Sequence, residues 1–146
     1  MAKVFVSTIV DAPAAQVWSV IRDFNGLPSW TPFVADSRIE QNAKAEQIGC
    51  VRNFRMKDGG QIRERLLALS DYDFSMVYAI LDSPMAVENY VATLKLMPIT
   101  DGDRSYAEWS AEFDCRPERE ADLVNQIGRN VFLAGLKALQ MRFQRR

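Results

Sequence analysis

The feature that most constrains the fold is a series of strand-like segments joined by turns too short to contain a helix. Between residues 34 and 115, six segments have strand composition, and clusters of Gly, Pro, Asp or Ser separate most of them. The predicted strands are Val34–Gln41, Gly49–Met56, Gln61–Ser70, Phe74–Leu81, Val87–Met97 and Ser105–Cys115. Because parallel neighbours need a crossover of roughly a dozen residues or more, these strands must form an antiparallel sheet.

The flanking segments predict one more strand and three helices. Residues 3–10 alternate as a strand. Asp11 can cap a helix and Pro13 suits its first turn, so a helix is predicted to begin there and to end at Asn25-Gly26. The proline-rich stretch 27–32 predicts a second short helix or turn. From Glu118 the apolar period is helical for about 25 residues. The last turn of this helix carries basic residues, which suit its C-terminal end. They are Arg142, Arg145 and Arg146.

These elements predict an α+β chain with one domain, residues 1–146. The sheet has seven antiparallel strands and must cover its apolar face, and the terminal helix is the only element large enough to do so. We therefore expect a curved sheet wrapped around a long C-terminal helix, with two short helices after the first strand.

Composition excludes several classes of function. The net charge is −1, from 18 basic and 19 acidic residues, so no basic field attracts nucleic acid. The chain has no His, which excludes histidine zinc sites and Ser-His or Cys-His catalytic pairs, and we expect no metal ion and no cofactor. No stretch approaches the ~20 apolar residues of a membrane span. We expect a cytoplasmic protein in which Cys50 and Cys115 are free thiols.

Strand alternation predicts which side chains face the terminal helix. Most of the inward positions are apolar. They are Phe54 and Met56; Ile62, Leu66 and Ala68; Phe74, Met76, Tyr78 and Ile80; Tyr90, Ala92, Leu94 and Leu96; and Ala107, Trp109, Ala111, Phe113 and Cys115. Two charged residues, Arg52 and Glu64, have the same inward parity.

Arg52 and Glu64 have two interpretations. A hairpin loop of Asp58-Gly59-Gly60 predicts Phe54 opposite Glu64, which leaves Arg52 diagonal to Glu64 and within reach of it. The two residues can form a structural ion pair, or they can be a polar anchor in an otherwise apolar ligand cavity. The inward tyrosines favour the cavity, and we then expect Glu64→Leu to leave stability nearly unchanged.

The cavity prediction names two sets of residues. The predicted ligand-binding residues are Arg52, Phe54, Glu64, Leu66, Met76, Tyr78, Tyr90, Trp109, Val131 and Gly135. The predicted mouth residues are Leu27, Pro28, Trp30, Gly59 and Gly60. Gly128 and Gly135 interrupt the terminal helix, either because the helix approaches the sheet closely or because a ligand needs the space.

The N-terminal segment resembles a known superfamily. Residues 4–30, with Val17-Trp18 and Leu27-Pro28-Ser29-Trp30, are similar to the START-related, birch-pollen-allergen-like (SRPBCC) proteins, and in particular to bacterial polyketide cyclase/dehydrase-type members. The resemblance implies a helix-grip fold around a hydrophobic cavity. It does not by itself imply an activity, because the fold hosts carriers, lipid-binding proteins and enzymes.

Three later segments resemble the plant abscisic acid receptors: Gly49-Cys50-x-Arg52, Glu64-Arg65-Leu66 and Asn89-Tyr90. In that family, the glutamate and tyrosine that match Glu64 and Tyr90 line the hormone cavity. The family's Ser-Gly-Leu-Pro gate is replaced here by Lys57-Asp58-Gly59-Gly60, and its His-Arg-Leu latch by Ser83-Pro84-Met85. These departures argue against a hormone receptor.

Three functions follow as hypotheses. The first is a carrier or sensor that binds a small, mostly hydrophobic molecule. The second is a metal-independent cyclase or dehydratase, with Glu64 as general base and Arg52 or a tyrosine stabilising an oxyanion. The third is a domain that binds a protein partner and has a filled cavity. Binding leads, because the sequence contains no paired catalytic carboxylates and no nucleophile–base motif.

Overall fold

The computed structural model describes residues 1–145, so the predicted last-turn residue Arg146 lies outside the described residues. The strands are β1 (Ala2–Val10), β2 (Val34–Ile39), β3 (Val51–Met56), β4 (Gln61–Ser70), β5 (Ser75–Asp82), β6 (Glu88–Ile99) and β7 (Arg104–Asp114). Two short helices, α1 (Ala14–Ile21) and α2 (Leu27–Trp30), lie between β1 and β2. A long terminal helix, α3, spans residues 117–142.

The seven strands form one antiparallel sheet in the order β1-β7-β6-β5-β4-β3-β2. The register shifts in β2, at two places between β4 and β5, and near the start of β6. Bulges of this kind bend a strand and increase its twist, which curves the sheet around α3. The predicted fold class is confirmed.

The terminal helix is continuous but not uniform. A 3₁₀ turn, Pro117–Arg119, leads into α-helix at Glu120–Asn125, π-helix at Gln126–Leu133 and α-helix again at Ala134–Arg142. The π segment explains the spacing of the buried residues: Ile127 and Phe132 are five positions apart and both are buried. The helical period of the apolar residues predicted the helix but not this widened π segment. No helix within residues 1–145 is both long and apolar enough to cross a membrane.

The inward positions agree with the prediction except in the middle of β4. Trp109, Phe113 and Tyr90 are buried on the face that meets α3, whereas Ala68 is exposed. A bulge between Leu66 and Ala68 reverses the alternation there, so that Leu69 packs against the core instead.

Asp11 does not cap α1 as predicted. The helix begins after Pro13 without a side-chain cap, and the Asp11 carboxylate instead lies 3.2 Å from Nη1 of Arg145. Arg145 also donates to the carbonyls of Gly102 and Asp103, which joins the end of the chain to the β6–β7 turn. Asp11 therefore forms a long-range ion pair instead of the predicted local cap.

The two cysteines are free, as predicted. Cys50 precedes β3 and Cys115 follows β7, and three strands lie between β3 and β7 in the sheet. That separation far exceeds the ~7 Å between Cα atoms that a disulfide allows.

Replacing the two glycines of α3, Gly128 and Gly135, by alanine is predicted to change the stability of the protein in opposite directions. A Cβ at Gly135 would lie 2.8 Å from the buried Trp109 ring, whereas one at Gly128 would lie 3.4 Å from Val4, an ordinary contact. Alanine is worth about 1 kcal/mol in helix propensity at both positions. We expect Gly128→Ala to raise the free energy of unfolding by up to ~1 kcal/mol and Gly135→Ala to lower it by about 1–3 kcal/mol, because of overpacking.

Urea unfolding of the two variants measures this difference. Equal stabilities would mean that Trp109 moves freely to admit a Cβ at Gly135. The close approach favours packing, rather than ligand space, as the reason for Gly135.

The Glu40 carboxylate is expected to stabilise the fold at neutral pH and to lose this effect in acid. Arg63 donates to both Glu40 carboxylate oxygens, at 2.6 and 2.9 Å, and Asn53 donates at 3.1 Å. These hydrogen bonds, led by those of Arg63, lower the pKa of Glu40 to about 2, from an ordinary value of 4.5. The stabilisation from this carboxylate is complete above pH 4.5 and is lost as pH falls toward 2. Thermal melts over that range should show a shallower decline for Glu40→Gln than for the wild type, and parallel curves would contradict the prediction.

Candidate ligand-binding site

The inner face of the sheet and α3 enclose a cavity of about 110 Å³. That is several times the ~10–15 Å³ that one water requires. Helices α2 and α3, strands β3 to β7 and three connecting segments supply its walls. The lining residues are Leu27, Phe33, Arg52, Phe54, Met56, Asp58, Gly60, Ile62, Glu64, Tyr78, Ile80, Pro84, Met85, Tyr90, Trp109, Gln126, Ile127, Val131 and Phe132.

Most of the residues predicted to bind a ligand lie on this wall. They are Arg52, Phe54, Glu64, Tyr78, Tyr90, Trp109 and Val131. Leu66, Met76 and Gly135 do not line the cavity, because other side chains cover them in the core. Parity within a strand identifies the inward face, but it does not tell which inward side chains border empty space. That the lining residues bind a ligand stays a prediction.

The cavity mouth differs from the prediction. Leu27 and Gly60 line the cavity, but Pro28, Trp30 and Gly59 do not. The Trp30 ring is buried against Trp109, with 5.8 Å between ring centroids. Pro28 is exposed, and Gly59 is at the tip of the β3–β4 turn.

Three exposed lining residues mark the observed mouth: Asp58, Pro84 and Gln126. They place it between the β3–β4 turn, the β5–β6 loop and α3. The two loops meet, because a Cβ at Gly60 would lie 3.4 Å from Pro84. The resemblance to the plant receptors matched these two loops to the receptors' gate and latch, so that resemblance could have located the mouth.

The β3–β4 hairpin closes earlier than predicted. The Met56 N–H donates to the Gly60 carbonyl at 2.7 Å, so the loop is Lys57-Asp58-Gly59, with Gly59 at φ +99°. This register places Arg52 directly opposite Glu64, and Phe54 opposite Ile62. The predicted diagonal arrangement is therefore wrong. The shift is two residues, so both charged side chains still face inward.

Arg52 and Glu64 form a buried ion pair. Arg52 Nε and Nη2 lie 2.8 and 2.7 Å from Glu64 Oε1, and Nη1 donates to the Phe24 carbonyl at 3.0 Å. The guanidinium carbon is 4.0 Å from the centroid of the Phe24 ring and 4.7 Å from that of Tyr78. Arg52 thus joins the sheet to the segment after α1, and the pair has a structural role.

One oxygen of the Glu64 carboxylate, Oε2, has no hydrogen-bond donor from the described protein. Both close contacts from Arg52 go to Oε1, and no side chain among residues 1–145 donates a hydrogen bond to Oε2. Burial raises the pKa of Glu64 above its ordinary value, and the Arg52 charge opposes that rise. Oε2 is therefore a buried acceptor on the cavity wall without a protein donor.

Two tyrosines complete the polar part of the wall. The Tyr78 hydroxyl accepts a hydrogen bond from Trp109 Nε1 at 2.9 Å. Tyr90 stacks on Phe113, with 5.7 Å between ring centroids, and its hydroxyl forms no hydrogen bond with the described part of the chain. Burial raises the pKa of both phenols, so they stay neutral at physiological pH.

The sequence argument did not find much of the apolar wall. Ile62 and Ile80 had the predicted inward parity, but neither was selected as a ligand contact. Ile127 and Phe132 lie within the predicted terminal helix, and the π segment brings both to the cavity. In residues 1–145, no group of three or more Cys, Asp or Glu side chains is arranged to hold a metal ion.

Comparison with known proteins agrees with this geometry. Residues 1–144 match the polyketide cyclase/dehydrase and lipid transport family. The chain belongs to this family. A solved structure, XoxI from Bacillus cereus, is 31% identical and covers 98% of this chain and 96% of its own, with a TM-score of 0.88.

Two further relatives have named activities. This chain is 32% identical to the abscisic acid receptor PYL7 of Arabidopsis thaliana over 92 residues, which are 61% of this chain and 42% of the receptor. The chain thus matches less than half of the receptor's length. The ZhuI aromatase/cyclase from a Streptomyces species covers 99% of this chain and 94% of its own at 20% identity, with a TM-score of 0.80, which shows the fold alone. The predicted START-related resemblance is confirmed.

Proposed function

We propose that this protein binds a small, mostly hydrophobic molecule, as a carrier or sensor, in the cavity between the sheet and α3. The observation that carries the proposal is the composition of the wall. It is apolar except for one polar group of residues, Arg52, Glu64, Tyr78 and Tyr90, and a few residues at the mouth. Ligand sites typically combine a hydrophobic wall with a few polar groups that orient the ligand. The lipid transport named in the family description is consistent with such a site.

The remaining features of the proposal follow from the same chain. We propose one ligand-binding domain over residues 1–146, in the cytoplasm of a bacterium and without a nucleic-acid partner. The near-zero net charge supports the last point. A domain that only binds a protein partner would not need the open volume behind Asp58 and Pro84.

The proposal predicts that filling the cavity prevents ligand binding. Val131 lines the cavity and Val91 lies 39% exposed on β6, so Val131→Trp and Val91→Trp make the same change inside and outside. Native mass spectrometry of the purified wild type should detect a co-purified small molecule. We expect the Val131 variant to lose at least tenfold of that occupancy and the Val91 variant to retain it. Equal occupancy in both variants would contradict a site in this cavity.

A second candidate function is a cyclase or dehydratase that uses the same cavity. Glu64 favours it, because a buried carboxylate with a raised pKa and a free Oε2 suits a general base. Glu64 would remove a proton from a carbon next to a carbonyl group, and the enolate would attack a second carbonyl, whose oxygen takes up that proton. Loss of the new hydroxyl together with a second proton from the attacking carbon would release water.

Mass spectrometry distinguishes the two candidates. An enzyme of this kind should convert its ligand to a product one water lighter, and Glu64→Gln should retain the unconverted molecule. A binding protein carries the same molecule in both forms.

A further inference from the structure

We infer that the inner end of the cavity selects an uncharged ligand whose polar group donates a hydrogen bond, an alcohol or phenol, over the matching carboxylate or ether. This inference rests on the proposed function and specifies the class of its ligand. It follows from which polar atoms of Arg52, Glu64 and Tyr90 already have hydrogen-bond partners in the protein and which do not.

Arg52 is poorly available as a clamp for an anionic ligand. Each of its three side-chain nitrogens already has an acceptor within 3.0 Å, either Glu64 Oε1 or the Phe24 carbonyl. The rings of Phe24 and Tyr78 lie close to the guanidinium. Only one N–H on Nη1 and one on Nη2 remain. A ligand carboxylate that bound them would place its charge beside the Glu64 carboxylate, which already neutralises Arg52.

Glu64 Oε2 and the Tyr90 hydroxyl are in the opposite situation. Both residues are about 95% buried and line the cavity, and neither oxygen has a hydrogen-bond partner within residues 1–145. Among residues 1–145, only the indole nitrogen of Trp30 is a side-chain polar atom that has no partner and is also completely inaccessible. The two unpartnered oxygens of Glu64 and Tyr90 must therefore have some accessible surface. Glu64 Oε2 and the Tyr90 oxygen are therefore open to the cavity, where a ligand can reach them.

The preference for a donor comes from Glu64. A phenol hydroxyl such as that of Tyr90 can donate or accept, so it accommodates either kind of ligand. An ionised carboxylate only accepts. A ligand O–H would satisfy Oε2, an ether oxygen would leave it unpaired, and a carboxylate would add a second negative charge beside a pair that is neutral overall.

Three probes with one ring system test this inference: 2-naphthol, 2-methoxynaphthalene and 2-naphthoate. At neutral pH the first is an uncharged donor, the second an uncharged acceptor and the third an anion. We expect calorimetry on the wild type to give 2-naphthol an affinity about 10–100-fold higher than that of 2-methoxynaphthalene, the range for a hydrogen bond to a charged group. The naphthoate should bind more weakly than 2-naphthol by at least the same factor.

Two variants locate the effect. Glu64→Gln should reduce the advantage of 2-naphthol over 2-methoxynaphthalene at least threefold, because the acceptor loses its charge. If that variant does not fold, Tyr90→Phe and the wild-type ratios still decide. Tyr90→Phe should weaken 2-naphthol more than Tyr106→Phe does, since Tyr106 donates to Glu108 outside the cavity.

The outcomes separate the inference from the proposed function. Equal binding of 2-naphthol and 2-methoxynaphthalene, or tightest binding of the naphthoate, would overturn the inference and leave a hydrophobic ligand site standing. Failure of all three probes to bind would count against both.

Discussion

Replacing Glu64 by leucine is expected to lower the free energy of unfolding by about 3–5 kcal/mol. The substitution leaves the Arg52 guanidinium buried, with only 3% of its side chain exposed and its main counter-ion gone. The predicted diagonal arrangement favoured almost no loss. The direct contact of 2.7–2.8 Å between Arg52 and Glu64 reverses that expectation.

Two controls make the result specific to the ion pair. Glu112→Leu makes the same substitution in a pair with Lys3, where 56% of the glutamate side chain is exposed, and should cost at most about 1 kcal/mol. Removing both charges of the buried pair with Arg52→Met and Glu64→Leu should recover much of the lost stability, because no charge stays buried alone. Chemical denaturation measures all three. A loss below about 1 kcal/mol for Glu64→Leu alone would mean that water in the cavity solvates Arg52.

Truncating Trp109 to alanine is expected to cost about 3–5 kcal/mol. The ring is buried and stacks on Phe132, with 4.6 Å between centroids, and its N–H donates to the Tyr78 hydroxyl. The variant loses these contacts and leaves a void that is continuous with the ligand cavity. It also leaves the Tyr78 hydroxyl without this donor.

Tyr72→Ala is the matched control, because this aromatic side chain is 94% exposed and should change stability by no more than about 0.5 kcal/mol. Denaturant melts of the two variants compare loss of a buried ring with loss of an exposed one. Similar small losses would show that Phe132 and Trp30 collapse into the space that Trp109 leaves.

The Arg52–Glu64 pair combines the two roles that were alternatives in the sequence analysis, a structural ion pair and a polar anchor for a ligand. Arg52 is a positioning residue, since it holds Glu64 Oε1 and the Phe24 carbonyl. Glu64 is both its counter-ion and, through Oε2, the acceptor that we assign to the ligand. A ligand can therefore bind Oε2 without breaking the pair, and stability and ligand selectivity can be measured separately.

The sequence determined the fold class, because the signals for it are local. Alternation of period two marks inward side chains such as Tyr90 and Trp109, short turns require antiparallel neighbours, and the helical period after Glu118 predicts α3. The same signals placed Arg52 and Glu64 among apolar neighbours. None of these inferences depends on how the segments align with one another.

Only the tertiary structure decided the features that depend on register and on the space left after packing. Asp58-Gly59-Gly60 contains two glycines, and which of them takes a positive φ sets the hairpin register and thus the contact between Arg52 and Glu64. The bulge that exposes Ala68 and the π segment that turns Phe132 inward break periods that a sequence argument assumes to continue. The cavity itself is the volume that side chains from seven elements fail to fill, so no single segment encodes it.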